Sequence, residues 1–135
     1  MRSLSIIILC IMLLGCGKEY LPNTAGSTVQ PAVSGVHVDK AYFDTLDQEF
    51  KETTSCTGLN GDFWDVAIFL MPPPSFPCNG KNLEGKMCYG EFIRPNKVLL
   101  ADRYSWKHEI IHYLLYQNTG DLDPNHESEM FDNCS

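Results

Sequence analysis

The chain has few basic residues: ten lysines and arginines stand against seventeen aspartates and glutamates, for a net charge of −7. No basic cluster exists, which argues against nucleic acid as a partner and against electrostatic attachment to anionic lipid. No C-x-x-C pair occurs among the six cysteines, so the usual source of two adjacent thiolates for a structural zinc ion is missing. Long apolar runs are missing as well. The run "LSIIILCIMLLG", residues 4–15, is twelve residues long, whereas a membrane-crossing helix needs about 20. No internal repeat divides the chain.

What the N-terminus has instead is Arg2, a short apolar stretch and small residues near its end, the pattern of a secretory signal peptide. Its close, Leu13-Leu14-Gly15-Cys16, resembles the lipobox of bacterial lipoproteins, with Leu14 where a smaller residue is commoner. The resemblance implies that residues 1–15 are removed and that Cys16 carries acyl chains such as palmitate on its thiol and new amino group. It also implies a protein lipid-anchored in the bacterial cell envelope, at the outer membrane, with its domain outside the cytoplasm. The alternatives are an ordinary signal peptide or a single N-terminal anchor helix. Residues 16–35, rich in Gly, Pro, Ser and Thr, read as a flexible tether. Residues 36–135 then form one small domain, expected to be a monomer. Losing Arg2 with the signal leaves nine basic against 17 acidic residues, a net charge of −8, which suits solubility.

Cys10 falls in the signal and Cys16 at the lipid site, leaving Cys56, Cys78, Cys88 and Cys134. In an exported small domain these imply two disulfides, with three possible pairings. Cys78 and Cys88 flank "NGKNLEGKM", whose glycines and asparagines suit a tight reversal, so Cys78–Cys88 is expected, with Cys56–Cys134 by elimination. On chain-entropy grounds these are worth about 3 and about 4.5 kcal/mol.

The spacing of Ala41, Tyr42, Phe43, Leu46 and Phe50 predicts a helix over about 39–54. "WDVAIFLM" reads as a buried strand ended by prolines, and "MCYGEFIR" and "KVLLAD" as strands joined at Pro95-Asn96. Ser105 is a candidate N-cap for a last helix reaching about Gln117, with Gly120 as its stop. The expected fold is small α+β: an N-terminal helix, a mostly antiparallel sheet of three to four strands and a C-terminal helix.

That last helix carries "HEIIH". His108 and His112 lie one turn apart on one face, with about 5–6 Å between Cβ atoms, close enough to share a metal ion. Glu109 is rotated out of the ligand position, from where a carboxylate can hold and deprotonate a water that the metal activates. Chance yields H-E-x-x-H in fewer than about one chain in a hundred of this length, and the apolar residues Ile110, Ile111, Leu114 and Leu115 put it on a helix. The plain alternative is an amphipathic helix with two partly exposed histidines.

From Ser105 to about Glu129 the chain resembles the active-site helix of the zincin metallopeptidases, a match to about a sixth of its length. The resemblance implies Zn2+ held by His108 and His112, Glu109 as general base, and a peptide or protein substrate lying along the edge strand of the sheet. Leu115 and Asn118 depart from the metzincin pattern, too little chain follows for the later glutamate of gluzincins, and "NTGD" matches the aspzincin motif only in part. His126 is the favoured third ligand, because Gly120 and Pro124 permit a return to the helix. Glu127, Glu129, Asp121 and Asp123 are the alternatives, and His37 reads as an exposed residue near the tether. Tyr89, Tyr104, Tyr113 and Tyr116 are candidates for stabilising an oxyanion, or plain packing residues. The expected function is a membrane-anchored zinc peptidase. The alternative is an envelope lipoprotein that binds metal or a protein partner without turnover.

Overall fold

The structure, a computed structural model, describes residues 28–31, 36 and 38–135. The signal peptide, Cys16, most of the expected tether and His37 lie outside the described residues.

Helix α1 spans Lys40–Thr57. The Asp39 carboxylate accepts the Tyr42 N–H at 2.7 Å at its start, and Gly58 ends it at a left-handed φ of 68°. The helix runs past the expected 54 to include Cys56. Among the described residues six strands precede or follow it: β1 Thr28–Pro31, β2 Ala67–Leu70, β3 Phe76–Pro77, β4 Met87–Cys88, β5 Gly90–Ile93 and β6 Lys97–Leu100. Four of them make one sheet in the order β1-β2-β6-β5, while β3 and β4 form a separate antiparallel ribbon.

The expectation of a mostly antiparallel sheet is corrected. β1–β2 and β2–β6 pair in parallel, and only β5–β6 is antiparallel in this sheet. Helix α1 carries the chain back between β1 and β2, a β-α-β crossover that forces parallel pairing. The chain after β2 then doubles back through the ribbon and β5, so β6 runs in the direction of β2. β1 itself lies inside the stretch expected to be tether, with Val29 buried, so the sheet extends into that stretch. "MCYGEFIR" is two strands in two sheets, divided at Tyr89, whose carbonyl accepts the N–H groups of Ala101 (2.8 Å) and Asp102 (3.0 Å).

Helix α2 covers Trp106–Thr119 and is entered through a 3-10 turn at Arg103–Ser105. Ser105 occupies the N-cap position, but its side chain makes no capping bond. Asp102 does that work one turn earlier, accepting the Tyr104 N–H at 3.0 Å. Gly120 stops α2 at φ 79°. A final single turn, α3, spans Met130–Asn133.

The buried alternates of the two central strands, Ile68 and Leu70 on β2 and Val98 and Leu100 on β6, share one core with Leu46 and Phe50 of α1 and with Trp106, Ile110, Tyr113 and Leu114 of α2. Trp106 is fully buried, and its indole N–H donates to the Leu46 carbonyl at 2.9 Å, joining the two helices. This packing fixes the rotation of α2. Among the described residues no helix is long and apolar enough to cross a membrane.

Candidate metal centre

With the core face of α2 committed, its other side carries His108, Glu109 and His112, with Glu109, Ile111 and His112 buried. His108 and His112 project together because four residues make about one turn. The third histidine arrives from the loop after Gly120. That loop is organised by two aspartates. The Asp121 carboxylate accepts the Asp123 N–H at 2.9 Å, and the Asp123 carboxylate accepts the N–H groups of Glu127 (3.0 Å) and Ser128 (2.7 Å). The Asp123 carbonyl takes the His126 N–H at 3.1 Å. Asp123 and His126 both sit at positive φ, 53° and 56°, a conformation that Asp and Asn tolerate better than most residues.

The result brings the three imidazoles to one point. The His126 Nε2 lies 3.0 Å from the His108 Nε2 and 3.1 Å from the His112 Nε2, and one ring nitrogen from each of the three lies within 4.8 Å of the others. Tetrahedral ligands at about 2.0–2.1 Å from zinc stand roughly 3.3–3.4 Å apart, so the cluster can hold a metal ion. The His112 Nδ1 lies 2.6 Å from the Leu122 carbonyl oxygen, which can only accept; the hydrogen is therefore on Nδ1 and the Nε2 lone pair is free. Burial, reinforced by the charges of His112 and His126, pushes His108 down to about 4. Burial also lowers His112. Both rings are neutral at pH 7, the form that binds a metal.

Phe131, on α3, packs its ring against all three imidazoles, with centroids 5.0, 4.6 and 4.7 Å from those of His108, His112 and His126. It closes one side of the cluster with hydrocarbon. Its position depends on the Cys56–Cys134 disulfide, which ties α3 to the end of α1; Cys78–Cys88 is formed as well, and both pairings match the expectation.

Glu109 leaves the histidines and lies against the start of β5, 6 % exposed. Burial pushes its carboxyl up to about 8, against the pull of the Phe92 backbone N–H and with a smaller push from Glu91. Gly90 makes the room: a Cβ there would meet the Glu109 Cγ at 2.8 Å and the Ser105 Cβ at 2.8 Å. Glu91 faces the other way. Its carboxylate accepts the Asn79 N–H (2.9 and 3.0 Å), the Asn79 side-chain amide (2.9 Å) and the Gly80 N–H (3.0 Å), pinning the Cys78–Cys88 loop to β5. A cavity of about 600 Å³ opens between that loop and α2, with His108 and Glu109 in its wall.

The other candidates divide clearly. Glu127, Glu129, Asp121 and Asp123 stand outside the three-histidine cluster, and Asp123 serves the loop instead. The Asp123 carboxyl is held below its ordinary value, chiefly by the Glu127 N–H. Tyr113 is buried with its hydroxyl donating to the Asp62 carbonyl at 3.2 Å, and Tyr116 packs on Phe92 beneath Arg94. Tyr89 and Tyr104 line the cavity. Four contributors leave no signal in the sequence: Phe131, Gly90, Glu91 and the Leu122 carbonyl. A backbone acceptor leaves no trace in residue identity, and a tail phenylalanine among acidic residues carries no period. Compared with protein-family models, with curated proteins and with solved structures, the chain gives no match in any of the three.

Proposed function

We propose that the domain is a zinc-dependent peptidase held on a membrane of the cell envelope by a lipid on Cys16. One observation supports the catalytic reading above others: three ring nitrogens converge from α2 and its return loop, while a carboxylate from the same helix turn reaches the wall of a cavity. An all-imidazole set of three fits zinc with a position left for water or substrate, whereas a closed structural site takes a fourth protein ligand. When bound, zinc supplies Lewis acidity, polarising a carbonyl and bringing the pKa of water to about 7. His108, His112 and His126 would hold it, His112 oriented by Leu122. Glu109 would take a proton from the attacking water at its carboxylate and deliver it to the amide nitrogen that leaves. With zinc held by the histidines, positive charge near that carboxylate would favour its ionised form and oppose the effect of burial. The two disulfides suit an oxidising compartment.

The decisive test sets two substitutions against each other. His126→Ala should lose most bound zinc, since two imidazoles leave the ion short of its protein ligands. Glu109→Gln should keep zinc near one equivalent while hydrolysis of a mixed peptide library falls by about two to four powers of ten. Glu109→Gln hydrolysing at the wild-type rate would sink the mechanism. Zinc bound by a wild-type protein that hydrolyses nothing would leave the non-catalytic metal-binding alternative. Anchoring is checked separately: a radioactive fatty acid should label the wild type and not Cys16→Ala, and equal labelling would remove the lipid from the account.

A further inference from the structure

Among the described residues, Met87, Tyr89 and Tyr104 are the large hydrophobic side chains left exposed, at 56 %, 58 % and 84 %. Single exposed apolar residues need no explanation. These three come from separate places, β4, the link from β4 to β5, and the 3-10 turn before α2, yet all line the cavity that His108 and Glu109 share. We propose that this cavity binds a large apolar or aromatic side chain of a polypeptide, gripped between Met87, Tyr89 and Tyr104 beside Glu109.

The mounting of these residues favours a binding role. Met87 is paired with Pro77 across the ribbon, and its neighbour Cys88 is bonded to Cys78. Tyr89 is fixed by the two N–H groups its carbonyl accepts. The backbone of Tyr104 is held by Asp102, and the Arg103 guanidinium lies 5.1 Å from the centre of its ring, itself tied to Glu49. A backbone already held in place leaves only the side-chain rotamers to be fixed on binding. The composition of the wall selects the ligand class. Among the described residues its lining has no lysine or arginine, so a phosphate or a carboxylate side chain finds no cation in the wall itself, and the one carboxylate side chain there, Glu109, is buried. A volume of about 600 Å³ accommodates an aromatic side chain with adjoining main chain.

That the ligand is a peptide rests on the peptidase reading; that it is apolar rests on the wall. The test therefore has one arm that needs turnover and one that does not. Purified full-length protein in detergent is loaded with zinc and given a randomised peptide library. The expected cleavage sites have Phe, Tyr, Leu or Met next to the broken bond, and Tyr104→Ala should blunt that preference. In the second arm the Met87 methyl signal, assigned with Met87→Leu, is followed during titration with N-acetyl amides of Phe, Ala, Glu and Lys. The Phe amide should bind about tenfold or more tightly than the Ala amide, and Tyr104→Ala should narrow the gap. Equal responses to all four amides, or none to any, overturn the inference, as does cleavage indifferent to bulky apolar residues. A library left uncut while the Phe amide still binds selectively instead removes the peptidase reading and keeps the apolar site.

Discussion

Gly90 is the residue on which Glu109 depends most directly. It needs no positive φ; its value is the missing Cβ, which would fall 2.9 Å from the Glu109 Oε1 and 2.8 Å from the Ser105 Cβ. A flexible carboxylate tip could swing aside, but the Ser105 Cβ is attached to the backbone just before α2. Gly90→Ala must therefore shift both the carboxylate and the start of the helix. Overpacking of this kind costs about 1–3 kcal/mol in stability. A displacement near 1 Å of a reacting group costs roughly a hundredfold in rate. On the proposed peptidase reading, Gly90→Ala is expected to keep most of its zinc, because the atoms nearest that methyl belong to Glu109 and Ser105 and not to an imidazole, while turnover falls about a hundredfold. Zinc content by mass spectrometry beside hydrolysis rates decides the matter. Wild-type turnover in that variant would show that Glu109 does not act from its seat against β5.

At the level of elements, legibility followed the range of the interactions. The helix bearing His108, Glu109 and His112 was readable because both its apolar period and its chemistry are local, and α1 was readable for the first of those reasons. The β5–β6 hairpin was readable from Pro95-Asn96. Strand direction elsewhere was not, since a run such as Ala67–Leu70 pairs equally well either way and the choice falls to connections outside it. β1 was missed because four residues within a Gly- and Pro-rich stretch are too few to show a period. β3 and β4 have two residues each, too few for any period. Ser105 is the N-cap residue of α2 as its type suggested, but the side-chain capping bond is made one turn earlier, by Asp102 at the 3-10 turn. His126 was readable as a candidate by residue type and turn residues. The aspartate-built loop that delivers it was not, because the Asp121 and Asp123 carboxylates accepting backbone N–H groups two to five residues on leave no pattern distinct from an ordinary acidic loop.

On the scale of the molecule, the two disulfides divide the work. Cys56–Cys134 spans 78 residues and holds α3, hence Phe131, against the histidines; Cys78–Cys88 spans 10 and shapes the mouth that carries Met87 and Tyr89. A domain of about a hundred residues has a modest core, and cross-links offset what that core cannot supply. Replacing Cys56 and Cys134 together by serine should lower unfolding free energy by about 4.5 kcal/mol, and Cys78 and Cys88 together by about 3. Denaturant midpoints of the zinc-free proteins measure both. The zinc affinities should not follow that order of size alone. Without Cys56–Cys134 the α3 turn is free to leave, the apolar side of the cluster opens to water, and the loop that sets His126 loses the anchor just beyond it. Affinity in a competition with a chelator should drop about ten- to a hundredfold, the range seen when the groups orienting a metal's ligands are lost. Without Cys78–Cys88 the His cluster keeps all its supports, so zinc affinity should stay within a factor of about three while selectivity between apolar and small peptide side chains declines. Equal weakening of zinc in the two double variants would mean that Phe131 and α3 contribute nothing particular to the centre, and that the disulfides act on stability alone.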